Sequence, residues 1–390
     1  MRILVLGAGR MGLGAAFDLA HNSREVGAVT VADIDEGRAR AVAETVGGGR
    51  VRAARVDVED SAQVVGLMRG HDSVISCVTY FHNLRLARAA IEAGSNFCDL
   101  GGNNAVVDSE LALDEEARAA GVRLTPDCGL APGMVSVLVA HGAARFETLE
   151  DVHIRVGGLP QNPKPPLDYQ LVFSVEGLIN EYVERARVIR EGKLVEVESM
   201  TEVESLDFPE PFGRMEAFQT SGGTSTLPET FAGRLRTLDY KTIRYPGHCE
   251  RFKLLIDLGL ASSEAVELDG SRVAPRHLLG EMLTRHLPAD EPDLVFIRVE
   301  FKGRMRGEVE GAAPKTLRYD IIDRQDERTG LSAMMRTTAF PASIIAQMMA
   351  RGETSGTGAI PQERSVPPRR FVEELAARDI IIKESLESGV

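Results

Sequence analysis

The chain has no tryptophan, and aromatic residues make up 5% of its 390 positions. Cysteine is scarce as well: Cys77, Cys98, Cys128 and Cys249 are widely scattered, with no CxxC pair. That spacing excludes a metal-ligand set of the zinc type, and reduced thiols in a reducing compartment are the simplest account. No apolar run approaches the length of a membrane span, and the stretch at residues 3–6 is far too short for a signal-peptide core. The chain therefore reads as cytoplasmic. Basic residues are in deficit, 45 Lys+Arg against 58 Asp+Glu, and the net charge of −13 argues against nucleic acid or an anionic membrane surface as partner. No repeat of solenoid period and no low-complexity tract is present. What remains is an ordinary globular composition, 43% hydrophobic, long enough for two domains.

The first fourteen residues organise the rest. Residues 3–6 are an unbroken apolar run, as expected of a strand buried on both faces of a parallel sheet. Gly7, Gly9 and Gly12 follow in G-x-G-x-x-G spacing and lead into a helical pattern. Gly7 permits the tight turn, Gly9 lets a pyrophosphate approach the backbone, and Gly12 lets the helix pack against the strand. The helix start at Arg10 and Met11 offers N–H groups and a positive dipole end to the phosphates. A second buried strand, residues 29–32, ends at Asp33, about twenty residues past the glycines, where an acid accepts the ribose hydroxyls. An acid there repels a 2′-phosphate and favours NAD over NADP; Arg38 and Arg40 nearby pull the other way. The alternative is a glycine-rich turn in an α/β protein without cofactor.

Further along, a helix is expected over residues 36–46, stopped by Gly47-Gly48-Gly49. Residues 51–58 give a third strand ending at Asp57. That acid, beside Val58, either hydrogen-bonds the adenine or caps the helix starting near Ser61. A buried strand at 73–78 runs through Cys77 and Val78 into Thr79-Tyr80-Phe81-His82-Asn83. A helix at 84–93, a strand at 97–100 carrying Asp99 and Leu100, a helix over roughly 109–120 and a strand at 122–125 follow. Strands alternating with helices at this rhythm predict an α/β fold, a Rossmann doubly wound parallel sheet over residues 1–134. Ligands in such sheets bind outside the carboxyl ends of the strands. That puts Thr79, Tyr80, Asp99 and residues 127–134 on one rim, beside a nicotinamide.

From about residue 135 the rhythm changes. Strand-like alternation at 151–156, 296–301, 317–322 and 331–338 predicts a second α+β domain, residues 135–338, with a mixed or antiparallel sheet for substrate binding and dimerisation. Residues 160–166, rich in proline, read as a loop. Residues 339–390 read as a C-terminal helical segment that returns to the first domain.

Three stretches carry a family likeness: the glycine motif, Asp99-Leu100-Gly101-Gly102, and Pro126-Asp127-Cys128-Gly129-Leu130-Ala131-Pro132-Gly133-Met134. With residues 173–178, 217–226 and 240–248 they make the chain resemble the saccharopine dehydrogenase-like reductases over nearly its whole length. Within that family the likeness runs to the branch that deaminates the ε-amine of L-lysine with NAD, giving a semialdehyde that cyclises. The resemblance implies direct hydride transfer between substrate and nicotinamide. A saccharopine reductase would carry an arginine-bearing pattern near Gly222-Gly223. Its absence argues for a smaller substrate with one carboxylate. The same-class alternative is a saccharopine reductase or carboxy-polyamine-forming reductase that uses NADPH. A protein that binds NAD without turning over an amine is the alternative of a different class.

Amine oxidation asks the protein to hold the α-carboxylate, to keep the reacting amine neutral and to admit water to the imine. For the first task Arg244 is the candidate, because a guanidinium fork matches a carboxylate bidentately; a structural ion pair is the alternative. Lys241 either assists or is merely solvated. For proton handling the candidates are Asp99, Cys128 and Tyr80, with His82 and His248 beside them. Asp99 could serve instead to cap the Gly101-Gly102 turn or orient the cofactor ribose, and Cys128 to fill space as a small buried apolar group. His248 is either a base or a locally satisfied ring. Tyr80 and Phe173 wall the substrate's methylene chain, with Thr79 and Thr224 as further substrate contacts. No metal is expected, and the partners are a small basic amino acid and a second copy of the chain.

Overall fold

A computed structural model gives the fold and describes residues 1–309 and 311–388. It divides into two compact units, residues 1–145 with 335–381, and residues 146–334 with the segment from 382 onward.

The first unit begins with β1 (Arg2–Leu6), in which Ile3, Leu4, Val5 and Leu6 are wholly buried. Each such side chain contributes about 2 kcal/mol of burial, which is why an unbroken apolar run becomes a central strand. α1 (Arg10–His21) packs Ala15, Ala16 and Leu19 inward, and β2 (Ala28–Asp33) follows. α2 (Glu36–Val46) is capped by Asp35, whose carboxylate accepts from the amides of Gly37 and Arg38. β3 (Val51–Arg55) stops two residues short of Asp57. The capping alternative for Asp57 is therefore corrected: Asp60 caps α3 (Ser61–Met68), while Asp57 accepts the amide of Glu59 at 2.9 Å. β4 (Ser73–Ser76), α4 (Asn83–Ala93) and β5 (Asn96–Asp99) continue the alternation. The single helix expected near 109–120 is two, α5 (Asn104–Leu111) and α6 (Asp114–Ala120). Between them the chain turns to send Leu113 into the core, a packing demand that periodicity does not register. β6 (Arg123–Thr125) and α7 (Val135–Ala143) complete this stretch.

The second unit opens with β7 (Phe146–Pro160), much longer than the 151–156 strand expected. It continues through α8 (Val175–Val183), β8 (Ala186–Arg190), β9 (Lys193–Val197), β10 (Glu204–Phe208), β11 (Gly213–Gln219), α9 (Leu227–Phe231) and β12 (Thr237–Arg244). Then come α10 (His248–Asp257), the hairpin β13 (Val266–Leu268) and β14 (Ser271–Val273), α11 (Pro275–His286), β15 (Asp293–Met305) and β16 (Lys315–Arg324). Residues 331–338, expected as a strand, instead start α12 (Ala333–Arg351). The reason lies far away in sequence: the carboxylate of Asp293 accepts the amides of Ala333 (2.6 Å) and Met334 (2.8 Å), satisfying donors that only a helix start leaves open.

The tail adds β17 (Gly358–Ala359), α13 (Gln362–Ser365), α14 (Pro368–Ala376) and β18 (Lys383–Ser388). β17 pairs with β6 in the first unit, whereas β18 pairs with β16 in the second, so the tail expected as a helical segment carries two short strands besides its helices. Its last two residues, 389–390, lie outside the described residues. In the first unit the tail is fixed by a buried ion pair, Arg378 Nε to Asp18 Oδ1 at 2.6 Å, reinforced by Glu374 on the guanidinium.

The first sheet has the order β17-β6-β5-β4-β1-β2-β3 with all neighbours parallel. The order reverses between β1 and β4, and the crevice at their carboxyl ends is where a doubly wound sheet accepts a dinucleotide. The second sheet has nine strands in the order β10-β11-β12-β7-β15-β16-β18, with β8 on β12 and β9 on β8. β12 and β7 run parallel and the other pairs antiparallel, which makes the sheet mixed.

Candidate active site

In the first unit the predicted cofactor residues gather at the carboxyl ends of adjacent parallel strands. Gly7 follows β1, Asp33 ends β2, Cys77 and Val78 follow β4, Asp99 ends β5 and Leu100 follows it. A Cβ at Gly12 would stand 1.9 Å from the carbonyl oxygen of Gly7, so the turn and the helix start are in direct backbone contact. A Cβ at Gly9 would meet nothing within 4 Å, and Gly9 begins α1 without a side-chain cap. An open backbone before an uncapped helix start fits a pyrophosphate. Asp33 Oδ2 accepts the amide of Ala8 at 2.8 Å and Oδ1 that of Asp35 at 2.9 Å, which ties the ribose-side acid to the glycine loop. Ile34, next to it, is 60% exposed and offers apolar surface beyond the acid. Asp57 and Val58 lie half-buried past the end of β3.

Next on the rim, Thr79 leads into a short helical turn, Tyr80–His82. The ring of Tyr80 packs against Gly102, where an added Cβ would lie 3.0 Å from it. Asp99 is wholly buried; its Oδ1 accepts the amides of Gly101 (2.6 Å) and Asp127 (3.2 Å). Burial pushes its carboxyl above the usual range, partly offset by those two amides. Gly101 has φ +75° and its Cβ would fall 1.8 Å from Asp127 Oδ1, so only glycine fits there. Cys128 is also fully buried, and its thiol donates back to the carbonyl of Thr125 at 3.2 Å. Burial raises that thiol further, so it stays protonated.

In the second unit β12 sorts the predicted substrate residues by face, since side chains alternate along a strand. Arg244 is 2% exposed: its Nε donates to the hydroxyl of Tyr182 at 2.8 Å, its Nη1 to the carbonyl of Ile243 at 2.9 Å, and its Nη2 stands 3.7 Å from Glu181. The guanidinium also lies over the ring of Tyr169, 4.8 Å from its centre. His248 Nδ1 meets the carbonyl of Leu167 at 2.9 Å and its Nε2 the hydroxyl of Tyr182 at 3.0 Å. A carbonyl can only accept, so Nδ1 carries the proton. Burial, then the Arg244 charge, lowers the ring to about 3, leaving Nε2 to accept from Tyr182. The chain of donors is thus fixed in direction from Arg244 to Tyr182, and from Tyr182 to His248.

Lys241 does not join this group. Its side chain takes the other face of β12, where it pairs with Glu204 at 2.8 Å and donates to the carbonyl of Glu202. Thr224 donates to the carbonyl of Arg187 at 3.0 Å, and Phe173, 37% exposed, precedes α8. Sequence reasoning did not single out Glu110, Glu181, Tyr169 or Tyr182. Glu110 could have been found as an acid one turn after Val107 on the inward side of α5; Glu181 and Tyr182, inside an ordinary amphipathic pattern, carry no such signal.

Comparison with known proteins places this geometry. Residues 3–124 match the family profile of the saccharopine dehydrogenase NADP binding domain, and residues 129–381 that of the saccharopine dehydrogenase C-terminal domain. The group that the first unit binds is accordingly a nicotinamide dinucleotide. The NADP-dependent, L-glutamate-forming saccharopine dehydrogenase of Schizosaccharomyces pombe is 26% identical over 231 residues, 55% of this chain but 49% of that protein. Carboxynorspermidine synthase of Vibrio cholerae is 23% identical over 408 residues, 96% of this chain and 94% of its own. Among solved structures, the apo L-Glu-forming saccharopine dehydrogenase of Saccharomyces cerevisiae superposes with a TM-score of 0.81 at 19% identity, covering 99% of this chain and all of that one. Homospermidine synthase of Legionella pneumophila in complex with NAD gives 0.66 at 12% identity, covering 100% and 91%. With both of its profiles matched in order and along nearly all its length, the chain belongs to the saccharopine dehydrogenase family, whose members are oxidoreductases acting on CH–NH groups.

Proposed function

We propose that the protein oxidatively deaminates the ε-amine of L-lysine with NAD, the hydride passing directly from substrate to cofactor. When bound, the dinucleotide supplies the hydride acceptor. The remaining tasks fall to side chains of this chain. The observation that carries the reading is Arg244, a buried guanidinium held by a phenol and a carbonyl, with its nearest carboxylate 3.7 Å away. A cation so placed keeps donors for one incoming carboxylate, and the α-carboxylate of an amino acid suits it. Asp99, raised by burial, handles the proton. Tyr80 on the rim of the first unit offers apolar wall to a methylene chain, and Phe173 is a further apolar candidate on the second unit. Cys128 takes no part in proton transfer, because its thiol is buried and already donates to a backbone carbonyl. Lys241 serves the sheet through Glu204. His248 orients Tyr182, and through it Arg244, rather than acting as a base.

The preference for NAD rests on Asp33, whose carboxylate repels a 2′-phosphate, and on Arg38 and Arg40 being engaged by Asp35 and Glu36 on the exposed side of α2. Assembly as a cytoplasmic homodimer belongs to the same reading; among the described residues no helix is long and apolar enough to cross a membrane. A second, reductive reading has support of its own. The carboxynorspermidine synthase match spans nearly the whole of both chains, and the profile of the first unit is that of an NADP-binding domain. The experiment that decides offers purified protein NAD with a panel of amino acids and diamines, then NADPH with a semialdehyde plus an amine. NADH formation with L-lysine supports the first reading. NADPH consumption that needs both carbonyl and amine replaces it with the second.

A further inference from the structure

Glu110 has no part in the chemistry above, yet it is 1% exposed, on the same inward side of α5 as Val107. An amphipathic helix puts an apolar residue at such a position, and a bare carboxylate there would be strongly disfavoured. Its carboxyl lies against that of Asp99, which is as deeply buried. No N–H or hydroxyl of the described residues reaches either Glu110 oxygen or Oδ2 of Asp99. The charges acting on Glu110 are those of Asp99 on β5 and Asp127 after β6, both negative. Around Asp99 stand the thiols of Cys77 and Cys128 and, on Oδ1, the amides of Gly101 and Asp127. Two carboxyl oxygens can share such a contact only through a proton. Asp99 has two amides to stabilise its charge and Glu110 has none, so the proton resides on Glu110.

We propose that Glu110 is a positioning residue for the amine chemistry: buried and protonated, it donates its carboxyl O–H to Oδ2 of Asp99 and so fixes the orientation and acidity of that group. This rests on the reading of Asp99 as the proton-handling residue. The gift is a hydrogen bond and not a transferred proton, so Glu110 ends each turnover as it began. A donor on Oδ2 favours the ionised form of Asp99, and its removal raises the Asp99 pKa.

Two variants separate the donor from the shape. Glu110→Gln keeps an N–H donor of similar size, and Glu110→Leu keeps the volume and loses the donor. In Glu110→Leu the pKa that governs kcat on the acid limb rises by about one pH unit, the effect of one hydrogen bond to a charged group. Glu110→Gln restores the profile. A purely structural role predicts the reverse: lower melting temperature in both variants and an unmoved pH profile, which would overturn the proposal. If Glu110→Leu fails to fold, infrared difference spectra of wild type against Glu110→Gln decide without turnover. At about pH 8, where an ordinary carboxyl is ionised, wild type shows a protonated-acid carbonyl band that the variant lacks, and Asp99→Asn shifts that band. A wild type with no such band, or a band that Asp99→Asn leaves in place, overturns the proposal. Turnover unchanged in Asp99→Asn, with the band shifted, instead removes Asp99 from the chemistry and Glu110's positioning role with it.

Discussion

Replacing Arg244 by lysine preserves the positive charge and removes the fork. In the structure the guanidinium spends Nε on Tyr182 and Nη1 on the Ile243 carbonyl, and keeps Nη2 with Glu181 at 3.7 Å. A lysine ammonium cannot reproduce both anchors and still present two parallel donors to a carboxylate. The loss of a bidentate, charge-assisted contact is about 3 kcal/mol, or about a hundredfold in kcat/KM. Because the α-carboxylate is remote from the reacting carbon and is held equally before and during hydride transfer, the change falls on KM, with kcat within a few-fold. The assay is initial-rate kinetics at saturating NAD with L-lysine varied, paired with a melting curve. Stability falls as well, since the stacking over Tyr169 and the Tyr182 contact are weakened, by about 1–2 kcal/mol. An unchanged KM with a lowered melting temperature would refute the carboxylate role and make Arg244 a structural cation.

Three further perturbations test other parts of the account. Gly12→Ala puts a Cβ 1.9 Å from the Gly7 carbonyl, so α1 must retreat and dinucleotide affinity, read by fluorescence titration, falls at least about tenfold; an unchanged Kd would contradict the assigned turn. Asp18→Asn leaves the buried Arg378 guanidinium with Glu374 alone and costs about 3 kcal/mol in denaturant unfolding, whereas a loss below about 1 would show the pair to be dispensable. His248 has its folded pKa lowered to about 3 from an ordinary 6.5. The unfolded chain therefore takes up that proton as pH falls through about 6.5 while the folded chain does not, and the neutral ring's contribution is lost toward acid. Between pH 7 and about 5 the loss is about 2 kcal/mol, and His248→Gln flattens that slope; an equally steep variant would refute the assignment.

The first unit was legible in the sequence because its signals are local. The apolar run of β1, the glycine spacing and the acid at Asp33 each specify a backbone need within a few residues, and the strands and helices of the parallel sheet follow from their alternation. The misreadings share a cause. Residues 331–338 alternate like a strand, yet Asp293, some forty positions earlier, supplies the carboxylate that starts a helix there. β18 likewise depends on an open edge of β16 that no local pattern announces.

Legibility of the site divides the same way. Arg244 stands out as a residue type, but its partners Tyr182 and His248 are brought to it by the packing of α8 and α10 against β12, and strand alternation alone separates it from Lys241. The buried contact between Asp99 and Glu110 joins β5 to α5 through side chains that would read singly as a turn cap and a surface acid.

Lysine deuterated at the ε-carbon shows whether the hydride passes from that carbon to NAD. Deuterium in the NADH formed, a cyclic imine of the semialdehyde as product and a slowed turnover are the expected results. NADH without deuterium, or no NADH from lysine while NADPH is consumed with a semialdehyde and an amine, would contradict it.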